Sequence, residues 1–187
     1  MPEALVEFPS HTSYSNDLLY GYILFSQRTR NDPVIVEVNL QGLPPGIHGF
    51  HVHEYPIKLE YLNQMKLGIV PKDLCKTLGG HFNPNGTVHG SYKCNTTRHA
   101  GDLINNLEVD SNKKVHIKFV DPLISLYLED KNCIINKSIV IHKEPDDEGL
   151  PGLIAMQQNK KLNKKEQESL KTGNAGNRIA CGNIMLM

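Results

Sequence analysis

A chain of 187 residues is the length of one domain and can bury a substantial core. Twenty basic side chains balance twenty acidic ones, so no global field recruits nucleic acid or an anionic membrane, and any pull on an anion is local. No apolar run approaches the roughly 20 residues of a membrane helix, and Met1-Pro2-Glu3-Ala4-Leu5-Val6-Glu7 lacks the basic start and apolar centre of a signal peptide, so a cytoplasmic protein is expected.

Short apolar or alternating runs predict strands near 4–8, 19–25, 33–40, 49–54, 102–109, 115–120, 124–128, 138–142 and 179–187. Val34-Ile35-Val36-Glu37-Val38-Asn39-Leu40 is rich in β-branched residues, which suit a pleated surface. Asn31-Asp32-Pro33 and Asp110-Ser111-Asn112-Lys113 are turn signals between such runs. This spacing predicts an all-β antiparallel sandwich or barrel, with no long helix, no repeat and one domain spanning 1–187. Between Pro56 and Pro71, Ile57, Tyr61, Met65 and Ile69 recur every fourth position, as one face of a short helix would. Segment 149–171 carries Lys160, Lys161, Lys164 and Lys165, a run that ordinarily marks solvated surface.

Nine histidines occur, and six of them fall with one aspartate into a pattern that fits two metal sites: His51, His53, His81, His89, His99 with Asp102, and His142. His51 and His53 are two apart in a predicted strand, so both rings face one side and can bind one ion. Gly101 lets the chain turn so that Asp102 comes beside His99. Imidazole suits copper and zinc, and carboxylate also suits zinc. A histidine-dominated pair of sites without thiolates favours copper alongside zinc over iron–sulfur or calcium. Four cysteines (Cys75, Cys94, Cys133, Cys181) in an intracellular chain would ordinarily be free thiols.

Gly46-Ile47-His48-Gly49-Phe50-His51-Val52-His53-Glu54, Gly80-His81-Phe82-Asn83-Pro84, Arg98-His99-Ala100-Gly101-Asp102-Leu103 and Thr172-Gly173-Asn174-Ala175-Gly176-Asn177-Arg178-Ile179-Ala180-Cys181-Gly182 resemble the signatures of copper/zinc superoxide dismutases of the eukaryotic intracellular type. The resemblance runs from about Leu5 to the C-terminus. It implies an eight-stranded Greek-key sandwich or barrel with long metal-binding and electrostatic loops. It also implies an enzyme that converts superoxide to dioxygen and hydrogen peroxide at a histidine-bound copper bridged to zinc.

Carried over position by position, copper is expected on His51, His53, His89 and His142, and zinc on His81, His89, His99 and Asp102. His89 is the shared, bridging ligand in this assignment. Asp146 is expected to accept hydrogen bonds from a copper and a zinc ligand. Arg178 would hold the incoming anion, with Thr172, Lys171 and Glu168 guiding it. Cys75 and Cys181 would form a disulfide, leaving Cys94 and Cys133 free. His48 reads as a structural histidine near the site wall, His116 as strand surface, and His11 has no assignment.

The resemblance implies a homodimer, although the insertion at 56–71 falls where the usual contact lies. It also raises a copper-delivery protein as a partner. Two rival readings differ in class. A copper-delivery protein would carry a separate metal-binding N-terminal domain and a Cys-x-Cys tail, neither of which is present. A zinc-only homologue would have lost copper ligands, whereas all of them and Arg178 remain. Asn85, Asn95 and Asn136 each open an Asn-x-Ser/Thr triplet, read as chance without a secretory signal; packaging in a particle stays open.

Overall fold

The computed structural model describes residues 1–8, 18–71, 73–94 and 97–187. His11 and Asn95 lie outside them. Two antiparallel sheets face each other, one of five strands in the order β6-β3-β2-β1-β9, the other of four in the order β5-β4-β7-β8. The first contains β1 (Glu3–Phe8), β2 (Tyr20–Ser26), β3 (Val34–Gln41), β6 (Lys114–Asp121) and β9 (Met185–Leu186); the second contains β4 (Gly46–His53), β5 (Asn105–Val109), β7 (Ser138–His142) and β8 (Arg178–Asn183). Val34, Val36, Val38 and Leu40 point inward from β3 and meet Phe50, Val52, Leu107, Ile139 and Ile141 of the facing sheet.

The same alternation builds the site. On β4, Phe50 and Val52 enter the core, so His51 and His53 must project from the opposite face. β7 is buried along its whole length, with Ile139 and Ile141 in the core. Val140 instead packs in a second apolar cluster around the Cys75–Cys181 disulfide.

The expected all-β sandwich is present, with nine strands among the described residues instead of eight. The run at 179–187 is broken at Ile184, whose backbone pairs with Asn136 and Lys137. The last two strand residues, Met185 and Leu186, cross to the first sheet beside β1. Residues 124–128 form no strand: Asp121 Oδ1 accepts from Leu123 N and Ile124 N, and Gln27 Oε1 holds Leu126 N, so side chains take the place of a ladder. The run at 102–109 begins in a 3₁₀ turn (Ala100–Asp102) and becomes β5 only at Asn105.

Among the described residues, three short α-helices lie outside the sandwich. α1 (Leu59–Lys66) forms in the 56–71 segment, and Ile57, Tyr61, Leu62 and Met65 pack over the disulfide cluster. Ile69, expected on that face, lies beyond the helix and is exposed. α2 (Leu150–Gln157) and α3 (Lys164–Thr172) make a hairpin in the lysine-rich segment. They approach so closely that a Cβ on Gly152 would meet Leu170 Cγ at 2.4 Å. Asn163 and Glu166 form a reciprocal capping box at the start of α3, and Gly173 closes it with φ +65°. Among the described residues, no helix is long and apolar enough to cross a membrane.

Candidate metal centre

Two buried groups of ligand atoms stand side by side: His51, His53, His81 and His142, and His81, His89, His99 and Asp102. Within each group the atoms lie within 4.8 Å of one another. The residue common to both is His81, whereas the sequence reading put His89 there. Phe82 N donates to Val52 O at 2.8 Å and His81 bridges to His53, which brings the His81 ring to 4.0 Å from that of His51. The His89 ring is 5.9 Å from His51, and its Nε2 faces Asp146 Oδ1 at 2.8 Å. Both histidines sit on irregular chain, where spacing carries no information about which ring lies between the groups.

The first group is prepared for a cation. Gly79 O and Gly176 O take up Nδ1 of His53 and His142, each at 3.1 Å, which leaves the two Nε2 atoms 3.3 Å apart. Asp146 Oδ2 holds His51 Nε2 at 2.6 Å. His51 Nδ1 and His81 Nε2 are buried with no hydrogen-bond partner among the described residues. Orphaned imidazole nitrogens converging in a buried site call for a metal ion.

In the second group the Nδ1 atoms of His81, His89 and His99 lie 2.9, 2.9 and 3.1 Å from Asp102 Oδ1. His89 Nδ1 makes this approach without hydrogen-bond geometry, as a ligand aimed at a shared centre would. Three imidazole nitrogens and a carboxylate oxygen fit tetrahedral zinc. Asp102 Oδ2 is fixed by His99 N at 2.8 Å and Gly90 N at 3.2 Å. Gly101 permits this turn because a Cβ there would sit 2.3 Å from Val52 O.

Asp146 ties the groups together by holding His51 and His89 at once. Asn105 Nδ2 donates to its Oδ2 at 3.1 Å, and also to Gly90 O. Asn105 was not singled out in the sequence. It adopts φ +62°, which asparagine tolerates better than most residues, but that signal is weak.

Burial pushes His53 and His81 well below the ordinary imidazole range, and His142 down to about 3, in each case helped by neighbouring rings. Burial acts the same way on His89, but Asp102 and Asp146 outweigh it and raise that ring to about 10. Burial would lift Asp102 and Asp146, yet the surrounding imidazoles hold both carboxyls below their usual range. In the metal-free protein the three depressed histidines stabilise above ~6.5 and lose that contribution as pH falls towards their folded values; the carboxylates follow below ~3.9. His89 stabilises below ~6.5 and loses its contribution as pH rises to about 10. Chelator-treated protein should therefore have its highest melting temperature near neutrality, with losses on both sides, most steeply in acid. A midpoint flat across this window would contradict the protonation pattern.

Arg178 donates from Nη1 to Cys75 O at 2.7 Å and from Nη2 to Gly79 O at 2.6 Å. Burial lowers it from its usual value, but a guanidinium stays charged. It lines a cavity of about 270 Å³ with His53, His81, His142, Glu168 and Thr172. Thr172 Oγ1 donates to Glu168 Oε1 at 2.8 Å. Lys171, grouped with them in the sequence, lines a separate pocket beside His99. His48 is buried between His142 O and Pro44 O, in the structural position expected. His116 is exposed on β6. Cys75 and Cys181 are bridged; Cys94 and Cys133 are not in a disulfide.

Residues 19–184 match the model of the family described as Copper/zinc superoxide dismutase (SODC). The chain belongs to the copper/zinc superoxide dismutase family. It is 37% identical over 170 residues to a superoxide dismutase [Cu-Zn] of Onchocerca volvulus, spanning 91% of this chain and 90% of that one. Superoxide dismutase [Cu-Zn] 5 of Dictyostelium discoideum is 37% identical over 89% of this chain and 90% of its own. An extracellular superoxide dismutase [Cu-Zn] of Brugia pahangi is 35% identical over 91% of this chain and 71% of its own. The crystal structure of the clock protein EA4 superposes with a TM-score of 0.72 at 33% identity, covering all of this chain and 94% of that one. Copper and zinc are the cofactors of this family, and the two histidine groups suit them.

Proposed function

We propose that this copper/zinc superoxide dismutase acts through His51, His53, His81 and His142 as the copper ligands and His81, His89, His99 and Asp102 as the zinc ligands. The observation that carries the reading is the one imidazole that belongs to both groups, His81, with Nδ1 beside Asp102 Oδ1 at 2.9 Å and Nε2 without a hydrogen-bond partner among the described residues. Copper when bound supplies a one-electron couple, by which one superoxide leaves as dioxygen and the next, with two protons, as hydrogen peroxide, and zinc adds fixed positive charge. Arg178, anchored by two carbonyls, holds the anion at the cavity floor with its donor fork. Thr172 and Glu168 narrow the mouth. His81 Nε2, which has no hydrogen-bond partner among the described residues, would hold one proton whenever it is not bound to copper and deliver it to the second anion, the other proton coming from solvent. Asp146 fixes the tautomers of His51 and His89.

Arg178→Ala should bind both metals at wild-type stoichiometry and lose at least about tenfold in dismutation rate, because a steered encounter has lost its charge. The wild-type rate should fall as salt screens that charge. Full activity in Arg178→Ala, or zinc without copper and no activity after copper loading, would overturn the reading.

The single domain 1–187 and a homodimer belong to the same proposal. In support of the dimer, an apolar groove between α1, β1 and β9 presents Leu59, Met185, Leu186 and Met187 to solvent. The cytoplasmic setting and a copper-delivery partner stand as readings of the sequence alone; the Brugia relative is named as extracellular.

A further inference from the structure

A second pocket, of about 510 Å³, opens beside the zinc-binding group and not into the Arg178 cavity. Its walls include His81 and His99, with Glu54, Gln167, Leu170 and Lys171. Among the described residues, the two openings share only Gly80 and His81. The His99 side chain is 6% exposed, whereas those of His89 and Asp102 are 0%, so His99 is the zinc-group side chain that solvent reaches most readily. Among the described lining residues Glu54 is the one carboxylate and Lys171 the one lysine or arginine. Glu54 is held in place by Gly80 N on Oε2 at 3.2 Å.

We propose that this pocket is a separate port for zinc, in which the Glu54 carboxylate receives the hydrated dication and passes it to His99. This rests on the zinc-ligand assignment above. A cation and an anion make opposite electrostatic demands, and a guanidinium at the floor of the other cavity repels the former while drawing in the latter. Separate mouths resolve that conflict. Lys171 opposes zinc at this port and sets how fast it enters.

The test is stopped-flow uptake of zinc by the metal-free full-length protein, followed by loss of the complex between zinc and a chromophoric chelator. At low ionic strength Glu54→Gln should slow uptake by about fivefold and Lys171→Gln should speed it by about fivefold, as expected for one charge acting on a dication across roughly 8 Å of water. Both effects should shrink below about twofold in ~0.5 M salt. Glu54→Gln is isosteric and still accepts from Gly80 N, and Lys171 is exposed, so misfolding would not produce opposite signs. Equal rates in the two variants, or shifts in the same direction, would overturn the port. Unchanged zinc affinity in His99→Ala would instead overturn the ligand assignment beneath it.

Discussion

Asp121→Ala should destabilise the protein by about 3–5 kcal/mol, because it leaves a buried guanidinium without its counter-charge. Arg98 and Asp121 both have fully buried side chains, and Arg98 Nη2 donates to Asp121 Oδ2 at 2.9 Å. The remaining contacts of Arg98 are weaker: His99 O at 3.4 Å and the face of Tyr92 at 5.4 Å, while Nε has no partner among the described residues. Asp121 also accepts two backbone amides of the turn after β6. The pair therefore ties the residue before His99 to the far sheet. Urea unfolding at fixed metal content is the measurement. The double variant Arg98→Met/Asp121→Leu should recover most of the loss, since apolar replacement of a buried pair is often neutral. A double variant as unstable as the single one would mean that the turn amides, and not the stranded charge, dominate.

The second large effect belongs to the bridge between Cys75 and Cys181, 106 residues apart in sequence. Cys75→Ser/Cys181→Ser should lower stability by about 4–5 kcal/mol on the chain-entropy model, because so long a loop gains much freedom when unfolded. Activity should fall as well, well below the melting temperature. Cys75 O is one of the two carbonyls that orient Arg178, and the other, Gly79 O, lies on the same loop. Unfolding curves and dismutation rates for the reduced and double-serine proteins give the two readouts. A loss of stability with undiminished rate would separate the bridge from the arginine.

Strand periodicity revealed the parts of the site that strands build. His51 and His53 alternate with core residues, and β7 delivers His142 from a run buried on both faces. The helix over the disulfide was legible because its apolar residues recur at helical spacing and prolines bound the segment. Assignments between loops were less legible. His81 and His89 both follow irregular chain, and it is the pairing of Phe82 with Val52 that sets His81 where the two ligand groups meet. The α2–α3 hairpin was hidden by a lysine run read as solvated surface, although the Asn163 and Glu166 pair and Gly173 marked α3. Ile184 breaks the last strand through contacts with Asn136 and Lys137, far back in the sequence and beyond the reach of any local pattern.

The hairpin is moored at one end only. Leu170 O accepts from His89 N at 2.9 Å, Ser169 and Asn174 hold Asp147, and a Cβ on Gly173 would sit 2.0 Å from Asp146 Oδ1. Residues 158–161, at the outer tip, are exposed. Descendants of this chain are thus free to lengthen, shorten or recharge that tip, and an engineer can graft a peptide there, while the landward end tolerates almost no change.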